Sequence, residues 1–252
     1  MLLLQSLTLL VCSRLASADT TFGPQFWFGP LTTDNIHNYI LEAVTTMQLP
    51  AVPNPDIMDR HFALWPGMRT DNYRASGWSY GGDLIQTILS PDGITHGGYW
   101  NCGNPSERED QWCGFSSVWR CDPPESTSCG NLNGAGAPID GDTAVEIRYR
   151  YDTGTRDFTQ TLSSGGKVVS TFTRALGKAI NWYLGVECWD CVGTIPDHSY
   201  VGTTITLQDP DPEWDRYMLA WNVSHSTPFT SDGGKNWHID WLHVNSEKFP
   251  KT

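Results

Sequence analysis

Two polar side chains lie within otherwise apolar, strand-like stretches of this 252-residue chain. Gln86 follows Asp83-Leu84-Ile85, and Glu187 ends a run that begins at Asn181. A carboxyl group walled by aromatic rings is desolvated, which raises its pKa and makes it a usable acid or base. An amide beside it could orient water or polarise a carbonyl group. Gln86 and Glu187 are therefore the candidate catalytic pair. The alternative is a Glu187 that faces solvent at a strand end and a Gln86 that bonds to a neighbouring loop.

The chain contains twelve tryptophans, more than a core of this size usually needs. Several must be core residues, because an indole buries a large area, and aromatic residues are also enriched in sheets generally. Others lie beside polar turns, a pattern typical of a cleft where flat rings stack on sugars or on another ring system. The candidate binding platforms are Trp65, Tyr99, Trp112 and Trp182.

The sequence contains no motif typical of a metal site, a serine hydrolase or a phosphate-binding loop. The histidines at 61, 96, 198, 225 and 238 make no spacing typical of a metal site, so no metal is expected. No Gly-x-Ser-x-Gly motif and no glycine-rich phosphate loop occurs in the sequence, and no cofactor is expected.

The first residues resemble a secretory leader. Leu2 to Val11 are mostly apolar and are followed by Ala16-Ser17-Ala18, the pattern of a signal peptide cleaved after residue 18. A mature helix buried in the core is the alternative. We expect a secreted, extracellular protein with Asn222-Val-Ser224 as its glycosylation acceptor.

Of the seven cysteines, Cys12 lies in the leader and the remaining even number indicates disulfides. Sequence alone allows about fifteen pairings among them. Proximity favours three short loops, and Cys188-Trp-Asp-Cys191 could instead be a redox or zinc pair. The favoured pairs are Cys102–Cys113, Cys121–Cys129 and Cys188–Cys191.

The net negative charge of the chain argues against several classes of binding partner. The formal net charge is −12 and the isoelectric point is near 4.8. Nucleic acid, an anionic membrane surface and a polyanionic substrate bound mainly by charge are all disfavoured, because each requires a basic face. We expect the mature protein to be a monomer that does not cross or bind a membrane. We expect its ligand to be an extracellular glycan or a small hydrophobic molecule.

The elements that must position these residues are mainly strands. Asp34 to Met47 carries Ile36, Ile40, Leu41 and Val44 at helical spacing, which predicts one helix over residues 34–47. Prolines then form a connector, so residues 19–62 are expected to precede a sandwich domain over 63–252. Ala144 to Tyr151 alternates as a half-buried strand, and residues 157–163 and 167–172 continue it through turns.

Six further strands are expected, and together with one early helix they predict an all-β sandwich or jelly roll whose two stacked sheets share one core. The further strands are predicted at 83–89, 111–119, 180–188, 203–208, 218–223 and 237–243.

From Ala63 to about Val244 the chain resembles secreted fungal proteins with the concanavalin A-like lectin/glucanase fold, and more distantly the glutamic peptidases. The resemblance depends on short motifs such as 63–67, 82–87, 186–188, 193–196 and 231–235. It implies a jelly-roll sandwich with Gln86 at the position of the peptidases' catalytic glutamine. The nearest stretch to the peptidases' glutamate motif, Gln111-Trp112-Cys113-Gly114-Phe115, contains no glutamate.

These observations favour a secreted protein that binds, and in one version cleaves, extracellular carbohydrate. In the binding version Gln86 and Glu187 hydrogen-bond sugar hydroxyls. An acid hydrolase similar to the glutamic peptidases is one alternative. A cyclase or lyase acting on a small hydrophobic metabolite in a fungal biosynthetic pathway is another, because an aromatic cavity suits polycyclic ligands as well as sugars.

Overall fold

The computed structural model describes residues 20–30, 38–53, 62–71, 82–91, 102, 111–121, 129–189 and 191–249, except for the side chains of residues 20, 121 and 189. The predicted signal peptide over residues 1–18 and the candidate platform Tyr99 lie outside the described residues.

The described part of the chain forms seventeen strands and one short 3-10 turn at Trp214–Tyr217. The strands are β1 (Thr20–Phe28), β2 (Ile40–Gln48), β3 (Phe62–Thr70), β4 (Leu84–Ser90), β5 (Gln111–Cys121), β6 (Cys129–Asn133), β7 (Ala137–Asp140), β8 (Ala144–Asp152) and β9 (Asp157–Ser164). They continue with β10 (Lys167–Ala175), β11 (Ala179–Trp189), β12 (Gly193–Ile195), β13 (His198–Leu207), β14 (Leu219–Trp221), β15 (Val223–His225), β16 (Asn236–Val244) and β17 (Glu247–Phe249).

Fifteen of the seventeen strands form two layers, and their pairings are antiparallel. The remaining two, β12 and β17, pair with each other in a separate two-stranded sheet. The front sheet runs β14-β1-β11-β3-β4-β5-β6, with β7 also paired to β5. The back sheet runs β10-β9-β8-β2-β13-β16-β15. A single pair, Ile40 opposite Ala179, joins the two sheets. The predicted all-β sandwich is therefore confirmed.

The main core lies between the two sheets. Val145, Ile147 and Tyr149 of β8 are buried, while the residues between them face solvent, as the alternation predicted. The Tyr149 hydroxyl donates a hydrogen bond to the Pro66 carbonyl oxygen of the front sheet at 2.8 Å. Complete burial raises the pKa of Tyr149, so this phenol stays neutral and joins the two layers as a hydrogen-bond donor.

The helix predicted over residues 34–47 is wrong where the structure describes it. Residues 40–48 form strand β2 in the back sheet, between β8 and β13. Its Ala43, Thr45 and Met47 are buried at the two-residue period of a strand. The run Val44-Thr45-Thr46 is β-branched and therefore favours a strand. The neighbouring strands β8 and β13 pair with the backbone of β2 on both sides. Strands β1 and β2 therefore belong to the sandwich instead of preceding it.

Two of the predicted disulfides are present among the described residues. Cys102 bonds to Cys113 with a Cα–Cα distance of 5.7 Å, and Cys188 bonds to Cys191 with a Cα–Cα distance of 5.5 Å. The Cys121–Cys129 pairing stays a prediction, and the backbones of these two residues lie opposite each other on β5 and β6. In the described part of the chain, no helix has the length and apolar character needed to cross a membrane.

Candidate functional site

The candidate site lies on the front face, which we define as the side of the front sheet that points away from the back sheet. One residue from each of seven strands lies in register across this face, and directly paired residues point to the same side. This central row consists of Leu219, Trp27, Tyr183, Gly67, Gln86, Ser117 and Asn133. Six strand spacings make the row about 29 Å long.

One half of the central row is aromatic. Trp27 stacks on Tyr183 with ring centroids 4.3 Å apart, and the edge of Trp65 meets the same tyrosine at 5.1 Å. The guanidinium of Arg69 lies 5.4 Å from the Trp27 ring. Burial raises the pKa of Tyr183, and the positive charge of Arg69, which is hydrogen-bonded to it, opposes that rise. The tyrosine is therefore a neutral, fixed part of the wall.

Trp65 lies almost flat on the sheet because the opposite residue of β11 is a glycine. A Cβ at Gly185 would come within 2.9 Å of the Trp65 ring, so no other residue leaves room for this indole. The Trp65 ring is buried, and its Nε1 has no hydrogen-bond partner among the described residues. Trp65 thus contributes to the floor of the front face, as a support instead of an open platform.

Among the described indoles of the front face, Trp221 on the edge strand β14 is the exposed one. It pairs with Gln25 of β1 and is 51% exposed. The Oε1 atom of Gln25 accepts a hydrogen bond from Nε1 of Trp27 at 3.2 Å. Trp221 and the half-buried Trp27 therefore place two indoles around one amide, an arrangement suited to stacking on a polar ring.

The other half of the central row is made of amides and a hydroxyl. Nε2 of Gln86 donates to Oδ1 of Asn131 at 3.2 Å. The Ser117 hydroxyl donates to Oδ1 of Asn133 at 2.7 Å and lies 3.4 Å from Oδ1 of Asn131. Gln86 is only 5% exposed, whereas Asn131 is open to solvent. Ser117 is completely buried as well, so the network meets solvent mainly through Asn131 and Asn133, whose uncharged donors and acceptors are the groups that hold sugar hydroxyls.

Glu187 lies on the front face but far from Gln86. It pairs with Ala63 on one side and Phe22 on the other, near the end of β11. Register places Gln86 opposite Gly67, which in turn is opposite Tyr183. Two strand spacings and four residues along the strand put the two Cα atoms about 16 Å apart. The two residues therefore do not share one reacting centre, and the predicted acid–amide pair is not formed.

Trp112 and Trp182 are core residues, which corrects their prediction as binding platforms. Both are completely buried among the side chains of the main core. Nε1 of Trp112 donates to the Pro50 carbonyl at 2.9 Å, and Trp182 packs against Phe26 with ring centroids 6.3 Å apart. Their side chains point from the front sheet towards the back sheet, so neither indole can contact a ligand on the front face.

The described residues contain no metal-binding group. No three histidine, cysteine, aspartate or glutamate side chains in that part of the chain are arranged to hold an ion. His198 is buried at the start of β13: burial lowers its pKa to about 4, its Nδ1 lies 3.3 Å from the Pro196 carbonyl oxygen, and its ring packs against Tyr200 with ring centroids 5.7 Å apart.

Comparisons with known proteins give only remote likenesses. No protein-family model matches the chain, and no curated protein matches it. Among solved structures, a β-glucanase of Bacillus licheniformis is 7% identical with a TM-score of 0.33, over 82% of this chain and 66% of that one. LamA of Zobellia galactanivorans, solved with laminaritriose and laminaritetraose, is 12% identical with a TM-score of 0.35, over 82% of this chain and 65% of that one. Peanut lectin is 9% identical with a TM-score of 0.31, over 91% of this chain and 90% of the lectin chain.

In the two enzyme comparisons this chain spans just under two thirds of the other protein's length. Glucanases, an alginate lyase and lectins are among the matched proteins. The sheet pairings establish the sandwich independently of these remote matches.

Sequence reasoning missed Trp27, Trp221 and the asparagines of β6. Trp221 falls inside the strand predicted at 218–223, which the structure divides into β14 and β15 around Asn222. Its exposure follows from its place on an edge strand, since β14 pairs only with β1 among the described strands. No local signal in the sequence marks an edge strand of three residues.

Proposed function

We propose that this protein binds a neutral glycan along the central row of the front face. The observation that carries the proposal is the polarity of that row. At the β14 and β1 end the half-buried Trp27 belongs to the row and the exposed Trp221 lies beside it, and hydrogen-bonded amides lie at the β4 to β6 end. Indoles suit the apolar faces of sugar rings, and fixed amides suit their hydroxyls.

Binding is preferred to cleavage because two carboxylates that the described strands place on the front face, Glu187 and Asp140, are far apart. Two-acid glycosidases hold their carboxyl groups roughly 5–9.5 Å apart. Register places Glu187 on β11 and Asp140 on β7, with β3, β4 and β5 between them. Four strand spacings amount to about 19 Å, too far for one glycosidic bond. The separation of Gln86 from Glu187 likewise gives no support to a peptidase of the glutamic type.

The test is electrophoresis through gels that contain one soluble neutral polysaccharide each, such as a β-glucan, a mannan or a xylan. We expect one of these gels to retard the wild-type protein and the Trp241→Ala variant, but not Trp221→Ala. Trp241 is the matched control, because it is also an exposed indole (44%) but belongs to the back sheet. Retardation that survives in Trp221→Ala, or no retardation on any neutral polysaccharide, would overturn the proposal.

We also infer that the protein is secreted as a glycoprotein. The disulfides support an oxidising compartment, and the sequon at Asn222 supports N-glycosylation. Mass spectrometry of the protein recovered from culture medium should show a mature N-terminus at Asp19 and a glycan on Asn222. Retention in cells with residues 1–18 still attached would contradict this inference.

A further inference from the structure

Asn222 occupies a special position at the end of the strand that carries Trp221. It connects β14 to β15 and has a φ angle of 53°. This is the left-handed region, which few residues other than glycine adopt and in which asparagine is enriched. The chain therefore turns sharply at the residue next to the exposed indole.

Three hydrogen bonds hold Asn222 to the segment that follows β16. Its Nδ2 donates to Oε2 of Glu247 at 2.7 Å. Its backbone carbonyl accepts one hydrogen bond from the backbone nitrogen of Asn245 and one from Nδ2 of Asn245, each at 3.1 Å. A hydrogen bond to a charged group is typically stronger than one between neutral groups, so the contact with Glu247 is the strongest of the three. We call these three residues the Asn222 clamp.

Strand β14 has little else to fix it. It is three residues long, all three are exposed, and it pairs only with β1 among the described strands. An exposed edge strand with so little burial is expected to open locally unless its ends are held. One end is the turn at Asn222, directly after Trp221.

We propose that the Asn222 clamp positions Trp221 and thereby sets the affinity of the front face for its ligand. The second part of this statement rests on the proposed function. Asn222 is a positioning residue: it acts on the indole through the backbone and is not itself required to touch the glycan.

The clamp uses the same nitrogen atom that an N-linked glycan would occupy. A glycosylated asparagine keeps one N–H, which can still donate to Glu247, so the clamp and the glycan are separable in an experiment. Ser224→Ala removes the sequon and leaves Asn222 unchanged, and Ser224 is exposed on β15. Asn222→Asp removes the sequon and also places a carboxylate against Glu247, while still tolerating the left-handed backbone.

The decisive experiment is hydrogen exchange of the backbone amides of residues 219–221 in four variants: Asn222→Asp, Glu247→Gln, the double variant and Ser224→Ala. We expect Asn222→Asp to speed exchange about tenfold or more, as the loss of a charged hydrogen bond implies. The double variant should return to within about twofold of wild type, because the amide introduced at position 247 can donate to the carboxylate introduced at position 222. Glu247→Gln should give a smaller acceleration than Asn222→Asp, because its amide oxygen still accepts from Asn222 as a neutral partner. Ser224→Ala should stay near wild type.

The clamp would be overturned by unchanged exchange in Asn222→Asp, or by equal acceleration in Ser224→Ala and Asn222→Asp. The second would assign the effect to the glycan. Failure of the double variant to recover would also overturn it, since general loss of structure is not rescued by a compensating pair. The exchange measurement needs no ligand, so it decides the clamp even where polysaccharide gels refute glycan binding. Where those gels do retard the wild-type protein, Asn222→Asp should no longer be retarded. The double variant should be retarded again.

Discussion

Gln86 and Glu187 point from the same face of the front sheet but stand on β4 and β11, with β3 between them. Gln86 belongs to the amide network with Asn131, whereas Glu187 lies beyond the buried Trp65 near the end of its strand. A polar pair that shares a face without sharing a reacting centre is better suited to two separate contacts than to one catalytic step.

The separation of Gln86 and Glu187 predicts additive effects on binding. Gln86→Leu should weaken glycan binding about three- to tenfold, the value of one neutral hydrogen bond. Glu187→Gln keeps the shape and should have a smaller effect. In the double variant the two changes in binding free energy should add to within about 0.5 kcal/mol, because the residues are not in contact. Titration calorimetry with the retained polysaccharide measures this, and a larger coupling would show that the two side chains act together.

The packing of Trp65 against Gly185 predicts that Gly185→Ala lowers both stability and glycan binding. The added Cβ would meet the indole at 2.9 Å, so the ring must leave its position over β11. We expect about 1–3 kcal/mol lower stability in urea unfolding, together with weaker glycan binding. Gly130→Ala on β6 is the matched control, because a Cβ there meets nothing within 4 Å. Equal stability of the two variants would argue against the close packing of Trp65 on Gly185.

The buried His198 predicts a pH dependence of stability. Burial lowers its pKa to about 4 from the usual 6.5, so the unfolded chain takes up a proton at a higher pH than the folded chain does. Stability should therefore fall as the pH is lowered from about 6.5 to about 4, by up to about 3 kcal/mol. Below pH 4 this contribution should stay constant.

Urea unfolding of wild type and His198→Phe across this pH range provides the check. The phenyl ring fills a similar volume, cannot ionise, and should remove this part of the pH dependence. Identical pH profiles would show that His198 is already accessible to protons in the folded protein.

Substitutions of a buried and of an exposed tryptophan should have different effects, the first on stability and the second on glycan binding. Trp112→Ala should cost about 3–5 kcal/mol of unfolding free energy, because it leaves a large cavity in the main core. Trp221→Ala should change stability by less than about 1 kcal/mol while abolishing retention on polysaccharide. A severe loss of stability in Trp221→Ala would indicate that this indole is structural.

Much of the sandwich is predictable from local pattern, and the reason is visible in β8 to β10. Clean alternation in residues 144–151 and glycine turns at 154 and 165–166 fix these strands without knowledge of their partners. The sequence of β2 predicts a helix because Ile40, Leu41 and Val44 recur at helical spacing, whereas the buried side of the strand is formed by Ala43, Thr45 and Met47. Its actual state is decided by β8 and β13, which are distant in sequence.

The site was less predictable because it depends on which side of a strand each residue faces. Alternation from Glu187 back to Tyr183 already places Trp182 on the opposite side, so its burial could have been foreseen. The burial of Trp112 could not, since it requires knowing that β5 lies inside the front sheet, next to β4. The exposure of Trp221 likewise follows from a sheet edge that only the assembled fold defines.

The most direct test of the glycan-binding face is fluorine NMR of protein labelled with 5-fluorotryptophan, with resonances assigned by single Trp→Phe variants. On addition of an oligosaccharide of the retained polysaccharide, the resonances of Trp221 and Trp27 should shift. Those of Trp112, Trp182 and Trp241 should stay in place, because the first two are buried in the main core and the third lies on the back sheet. A shift confined to Trp241, or no shift at Trp221 at saturating ligand, would contradict the assignment of binding to the front face.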